Sequence, residues 1–220
     1  MTEFKICGLR TLDHALAAAD TGASFLGFVF VPGVRRQIEE AKAAEIIQEV
    51  KKRTGADGPR IVGLFANQPM SEVNRIVAKC DLDFAQLCGD ESPDYCDSID
   101  AWVIKMLKVA DDGPRQKLIA SIRKHIEEIA SRMHMCLLDK YTAGALGGTG
   151  KSFDWNIAAE IAKHYRIILA GGLDPKNVQE AISTASPWVV DVSTGVETDG
   201  VKDIAKIMAF GNSVRAVGAT

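Results

Sequence analysis

An alternation limits how this chain can fold. Eight short apolar runs rich in β-branched residues are separated by segments with helical spacing: Phe4–Leu9, Phe25–Phe30, Ile61–Ala66, Phe84–Gly89, Trp102–Val109, Met133–Tyr141, Arg166–Leu173 and Val189–Val196. Most of the runs are near-continuously apolar, which is how strands covered on both faces read. Between them, Leu12–Thr21, Glu39–Thr54, Pro69–Lys79, Pro114–Ser131, Trp155–Lys163 and Pro175–Ala185 place apolar residues three and four apart. Ser92–Ile99 is a weaker segment, and Val201–Phe210 closes the series. Asp174-Pro175, and Asp154 before Trp155, supply helix start signals. Strands alternating with helices imply a parallel sheet with right-handed crossovers. An open doubly wound sheet is one solution, but eight units favour a closed α/β barrel of the (β/α)8 type. No linker, low-complexity tract or shift in composition interrupts the 220 residues, so residues 1–220 are expected to form a single domain.

A barrel of this kind carries its chemistry at the C-terminal ends of its strands and in the loops just after them. Composition narrows that chemistry. With 26 basic against 29 acidic residues the net charge is −3, which argues against nucleic acid as the main partner. The first ten residues lack the apolar region of a secretory signal. The longest uncharged stretch, Thr21 to Val34, has 14 residues, short of the ~20 apolar residues a membrane span needs. Five irregularly spaced cysteines fit free thiols in a reducing compartment. A cytoplasmic protein with no membrane partner is expected.

The runs ending strands seven and eight are Ala170-Gly171-Gly172-Leu173 and Asp191-Val192-Ser193-Thr194-Gly195-Val196. Paired glycines before a helix start expose backbone N–H groups, and the helix dipole favours an anion there. Either segment alone reads equally well as a turn. Together, in the last two units of eight, they point to phosphate binding, a recurrent use of these loops. Gly150-Lys151-Ser152 suggests a P-loop, but the position that should carry its first glycine is Ala145. The glycine-rich segment Gly147–Ser152 is better read as a mobile lid or a plain flexible loop.

Asp139 and Asp191 are lone carboxylates at the ends of apolar strands six and eight. Such groups are almost never fully buried unless paired, so each is either a solvated strand end or part of an acid–base site. Cys7 closes strand one. A free cysteine is by default an inert small hydrophobe, and only its place at a strand's C-terminal end singles it out. Arg35 and Arg36 follow strand two, where a guanidinium can hold a carboxylate or phosphate bidentately or simply solubilise a loop. The other cysteines and the four histidines show no metal-ligand spacing, and no metal site is expected; His125 and His164 read as surface residues.

In order along nearly the whole chain, these residues resemble the phosphoribosylanthranilate isomerase family of tryptophan biosynthesis. The resemblance is carried by Lys5-Ile6-Cys7-Gly8, Gly27-Phe28-Val29-Phe30 with Arg36 and Ile38, Val62-Gly63-Leu64-Phe65, and Gln86-Leu87 with Gly89. It continues through Leu138-Asp139, Gly147-Gly148-Thr149-Gly150-Lys151, Phe153-Asp154-Trp155, Ala170-Gly171-Gly172-Leu173, Pro175, Asn177-Val178, Asp191-Val192-Ser193 and Gly195-Val196-Glu197. The family implies a (β/α)8 barrel without cofactor that performs an Amadori rearrangement of a phosphorylated aminoaldose, as a monomer or homodimer. Matched residue by residue, the general base falls on Cys7 and the general acid on Asp139. Arg36 falls near the anthranilate carboxylate and Asp191 near the substrate's amine. Gly171, Gly172, Ser193, Thr194 and Gly195 fall around the phosphate.

Two positions depart from the family pattern: Val34, where serine is common, and Cys88, where histidine is common. Other sugar-phosphate barrels, including epimerases, aldolase-like enzymes and the related histidine-pathway isomerase, share the architecture. An aldolase would use a Schiff-base lysine, for which Lys105 and Lys140 are the candidates. A non-catalytic phosphosugar-binding barrel is the remaining reading, disfavoured by the presence of both Cys7 and Asp139.

Overall fold

The computed structural model describes residues 1–110, 113–140 and 153–218. Eight strands close into a parallel barrel in sequential order. They are β1 (Glu3–Cys7), β2 (Phe25–Val29), β3 (Arg60–Phe65), β4 (Phe84–Leu87), β5 (Trp102–Val109), β6 (Met135–Lys140), β7 (Ile167–Leu169) and β8 (Val189–Val192). The ring is completed by β1 pairing with β8, Lys5 opposite Asp191. Helices α1 (Leu12–Asp20), α2 (Glu40–Thr54), α3 (Met70–Cys80), α4 (Pro93–Asp97), α5 (Arg115–Ala130), α6 (Trp155–Ala162), α7 (Val178–Ala185) and α8 (Ile204–Val217) return the chain between strands. This is the α/β barrel that the alternation predicts. The glycine-rich segment 147–152 lies outside the described residues.

The pleat divides each apolar run into two sets. Phe4, Ile6, Leu26, Phe28, Ile61 and Phe65 join the helix faces in the larger core, which lies between sheet and helices. Phe25, Val29, Val62, Leu64, Ile104, Met106, Leu137, Ile168 and Val189 form a second cluster, inside the barrel. Helix α3 shows the matching pattern, burying Val73, Ile76, Val77 and Cys80 at the three- and four-residue spacing of one helix face. At the N-terminal end of the barrel, Phe25 meets Phe84 and Trp188 edge-on, at ring separations of 5.7 and 5.9 Å. That aromatic trio floors the interior.

Element ends differ from expectation where local chemistry intervenes. Asp154 caps α6 as predicted, accepting from the N–H of Asn156 at 3.0 Å. Asp174 instead caps the turn ahead of α7, accepting from the N–H groups of Lys176 and Asn177 at 2.6 and 3.0 Å, and α7 begins at Val178. Strand β7 ends at Leu169 because Gly171 and Gly172, at φ of 93° and 65°, turn out of the extended region. Strand β8 stops at Val192, and Thr194–Val196 form a 3-10 turn. The last segment holds the largest surprise. Val201 and Lys202 are not helical but form β10 (Val201–Lys202), paired antiparallel with β9 (Glu197–Thr198). Asp199-Gly200, both at positive φ, makes the tight turn and is a strong hairpin signal. Asp203 then caps α8 through the N–H groups of Ala205 and Lys206.

All five cysteines are buried and unpaired. His125 and His164 are exposed, as read from the sequence. Among the described residues no helix is long and apolar enough to cross a membrane.

Candidate active site

At the C-terminal end of the barrel lies a cavity of about 460 Å³. Its lining includes every site residue that the family resemblance implies: Cys7, Arg36, Asp139, Gly171, Gly172, Asp191, Ser193, Thr194 and Gly195. Seven of the eight strands reach it, and Val29, Leu64, Met106 and Leu137 supply its apolar wall.

Cys7 ends β1 on the pleat face of Lys5, two residues earlier. Gly27 on the adjacent strand makes room for the thiol: a Cβ there would stand 3.1 Å from the Cys7 Sγ. Lys5 is fully buried, and its Nζ lies 3.1 Å from both carboxylate oxygens of Asp191. Sequence reasoning passed over Lys5. The available signal was a lysine inside an apolar strand, which must find a partner if the strand is covered on both faces. Burial opposes the charge of Lys5, but Asp191 and Cys7 outweigh it and the ammonium is held above its usual range. Burial likewise pushes the Cys7 thiol up from 9.0; Lys5 and Lys202 oppose that shift and Asp191 adds to it.

Asp139, on β6, accepts a hydrogen bond from the N–H of Lys140 at 2.8 Å and is buried. In the closed order, two strands, β7 and β8, separate it from Cys7. Gln86, on β4, is a second lining residue missed from the sequence. Its Nε2 lies 3.5 Å from the Cys88 Sγ, and its buried Oε1 has no hydrogen-bond partner among the described residues. Burial raises the Cys88 thiol to about 12, so at neutral pH it is a neutral, weakly polar neighbour where the family commonly has histidine.

The two glycine loops meet at the rim of the cavity. Gly171 and Gly172 follow β7, and Ser193 through Gly195 follow β8. Gly195 packs on the other loop: a Cβ there would meet the Leu173 carbonyl oxygen at 2.0 Å. Ser193 Oγ donates to the Cys7 carbonyl at 3.1 Å, joining the second loop to the end of β1.

Arg36 stands at the mouth and is already engaged. Its Nε donates to Glu197 Oε1 at 2.6 Å; its Nη2 donates to Thr194 Oγ1 at 2.8 Å and to Glu197 Oε2 at 3.1 Å. The carboxylate held by this fork is therefore the chain's own. Arg35, the more exposed neighbour, also pairs with Glu197, at 2.6 Å.

Lys105, a Schiff-base candidate by sequence, is bonded to Glu91 Oε2 at 2.5 Å and to the Gly89 carbonyl at 2.8 Å. It alternates along β5 with the interior residues Ile104 and Met106, so it belongs to the opposite pleat face. Lys5, the lysine inside, is held in its charged form, whereas an amine nucleophile needs its pKa lowered. Neither lysine suits an aldolase.

Comparison with known proteins agrees with this geometry. The family model described as N-(5'phosphoribosyl)anthranilate (PRA) isomerase matches residues 4–213. A relative named N-(5'-phosphoribosyl)anthranilate isomerase, from Dehalococcoides mccartyi, is 44% identical over 210 residues, covering 96% of this chain and 94% of its own. Monomers generated from the dimeric phosphoribosylanthranilate isomerase of Thermotoga maritima match with a TM-score of 0.81 at 29% identity, covering 98% of this chain and 100% of that one. A phosphoribosyl anthranilate isomerase in complex with reduced 1-(o-carboxyphenylamino)-1-deoxyribulose 5-phosphate matches with a TM-score of 0.80 at 29% identity, covering 98% and 100%. With the family model matching residues 4–213 and a 44% identical relative covering 96% of its length, the chain belongs to the N-(5'-phosphoribosyl)anthranilate isomerase family.

Proposed function

We propose that this chain catalyses the Amadori rearrangement of N-(5-phosphoribosyl)anthranilate to 1-(2-carboxyphenylamino)-1-deoxyribulose 5-phosphate, with Cys7 as general base and Asp139 as general acid. The observation that carries the reading is convergence: a thiol, a carboxyl group, an arginine and two glycine loops from separate strands line one cavity. Residues 1–220 act as one domain, in the cytoplasm, as a monomer or homodimer; support for the latter is the dimeric Thermotoga maritima relative.

The chemistry follows from the positions. Asp139 delivers a proton to the ring oxygen as the bond from that oxygen to C1 breaks, and the anilino nitrogen's lone pair forms a C1–N iminium. Cys7 then takes the proton from C2, giving an enaminol. A proton returns to C1 as the C2 hydroxyl loses its own, leaving the aminoketose with no net change in atoms. The buried Lys5–Asp191 pair lies beside Cys7, with Asp191 oriented towards the substrate's amine. Gln86 Oε1 offers an acceptor for a sugar hydroxyl. The backbone N–H groups of Gly171, Gly172, Ser193, Thr194 and Gly195 hold the phosphate, and Arg36 meets the aromatic carboxylate.

The direct test follows the loss of anthranilate-type fluorescence from freshly generated phosphoribosylanthranilate. Purified, folded protein should turn it over; no turnover above background would sink the proposal. The phosphate anchor has its own test. Gly172 stands at φ 65°, where a β-branched residue is strained, so Gly172→Val both distorts the loop and fills the approach to its N–H groups. Its KM should rise at least tenfold, as expected when hydrogen bonds to a charged group worth ~1.5–3 kcal/mol are lost. A folded Gly172→Val protein that binds inorganic phosphate like the parent places the anchor elsewhere.

A further inference from the structure

The feature that the reaction as described leaves unused is the ion cluster behind Arg36. Glu197 sits on the short hairpin after β8, its side chain only 4% exposed, and three cations converge on it. Arg36 approaches side-on, through Nε and Nη2. Lys202, paired with Glu197 across the hairpin, donates to Oε1 at 2.8 Å. Lys202 is itself fixed, donating to the Ser193 carbonyl at 2.8 Å. Arg35 closes the cluster on Oε2 and also donates to the Gly200 carbonyl. The stem of Arg36 lies against Gly8, where a Cβ would come within 2.5 Å of its Cδ.

We propose that Glu197 is a positioning residue for Arg36, holding Nε and Nη2 of the guanidinium, with Thr194 on Nη2 as well, so that Nη1 is presented to the substrate's aromatic carboxylate. The inference rests on the reading above that Arg36 meets that carboxylate. Its physical basis is a division of labour within one planar group. An arginine has five N–H donors in a rigid fork, and binding one edge fixes the direction of the rest. A free arginine of this length would lose rotamer freedom on meeting its ligand; here that loss is already met in the folded protein. Charge is not used up in the process. Three cations share one carboxylate, so the cluster keeps a positive surplus for an anionic ligand. Lysine at position 36 has a single nitrogen and cannot hold Glu197 and present a second nitrogen in a fixed direction at once.

The test is a double-mutant cycle of Glu197→Gln and Arg36→Lys, read as kcat and KM in the isomerase assay and as inhibition by two probes, anthranilate and inorganic phosphate. If Glu197 acts through Arg36, each single variant raises KM and the anthranilate inhibition constant about tenfold, the scale of a charged hydrogen bond. In each, kcat and phosphate inhibition stay within about threefold, and the double variant is no worse than the poorer single one. Additive losses, or equal weakening of both probes, overturn the proposal, because the hairpin would then be acting as general structure. An unchanged KM in Arg36→Lys, with the parent active, instead removes the carboxylate role of Arg36. Should Glu197→Gln fail to fold, Glu197→Asp takes its place in the same cycle: it keeps the charge but falls one methylene short, and a KM equal to the parent's overturns the proposal.

Discussion

Cys7→Ser and Asp139→Asn should each lose about 10²–10⁴-fold in kcat, the usual worth of a general acid or base, while remaining folded. Both side chains are buried and nearly isosteric with their replacements, so circular dichroism and unfolding midpoints should change little. The pH dependence separates the roles. Burial holds the Cys7 thiol above 9.0 despite Lys5 and Lys202, so at neutral pH the thiolate is a minority species. For a carboxylic acid titrating below such a thiol, the productive pair, acid protonated and thiol ionised, is scarce at every pH. Its amount is level between the two pKa values and falls above the higher one. The alkaline limb of kcat/KM therefore belongs to Cys7 and should lie above pH 9. Alkylation of Cys7 by iodoacetamide, followed by peptide mass spectrometry, should still be accelerating at pH 9. A plateau below pH 8 would refute the raised thiol, and parental turnover in folded Asp139→Asn would refute the acid, making Asp191 the next carboxylate to test.

Lys5→Met should be the most destabilising single change near the site. It leaves Asp191 buried without its cation, a loss of about 3–5 kcal/mol for breaking a buried pair by removing one partner. It also removes the stronger of the two cations that oppose the rise of the Cys7 thiol, so the variant should be slower as well as weaker. The double variant Lys5→Met/Asp191→Leu replaces the whole pair by apolar volume, which is commonly neutral or favourable. Its stability should return towards the parent's while activity stays lost. Urea unfolding of the three proteins checks this; a Lys5→Met midpoint equal to the parent's would show that the pair contributes no net stability.

The sequence exposes the barrel because strands buried on both faces leave an unmistakable run of apolar residues, and the count of those runs leaves few closed solutions. It conceals which face each residue takes. Phe4 and Lys5 are neighbours in one apolar run, yet Phe4 packs against Phe210 of α8 while Lys5 reaches Asp191 within the barrel. The strand-end residues Cys7, Asp139 and Asp191 could be found because they interrupt or end such runs. Lys5 and Gln86 lie a residue or more inside them, where a polar side chain reads as an irregularity. The hairpin at Glu197–Lys202 was hidden by a different competition. Apolar spacing from Val201 onward suits a helix, but the Asp199-Gly200 turn and the Asp203 cap divide that stretch before the helix starts. Without the hairpin, Glu197 has no reason to meet Arg36, and two of the three side-chain hydrogen bonds described for Arg36 stay illegible.

The aromatic floor of Phe25, Phe84 and Trp188 backs the barrel interior with hydrocarbon at its N-terminal end. A ligand in the cavity therefore meets no polar passage through that floor. On the mechanism proposed above, the proton that Cys7 takes from C2 is held on a thiol in a cavity backed by hydrocarbon, and its exchange with bulk water competes with its return to carbon. Deuterium placed at C2 is therefore expected to reappear in part at C1 of the product, a memory of the starting atom that an open channel would erase.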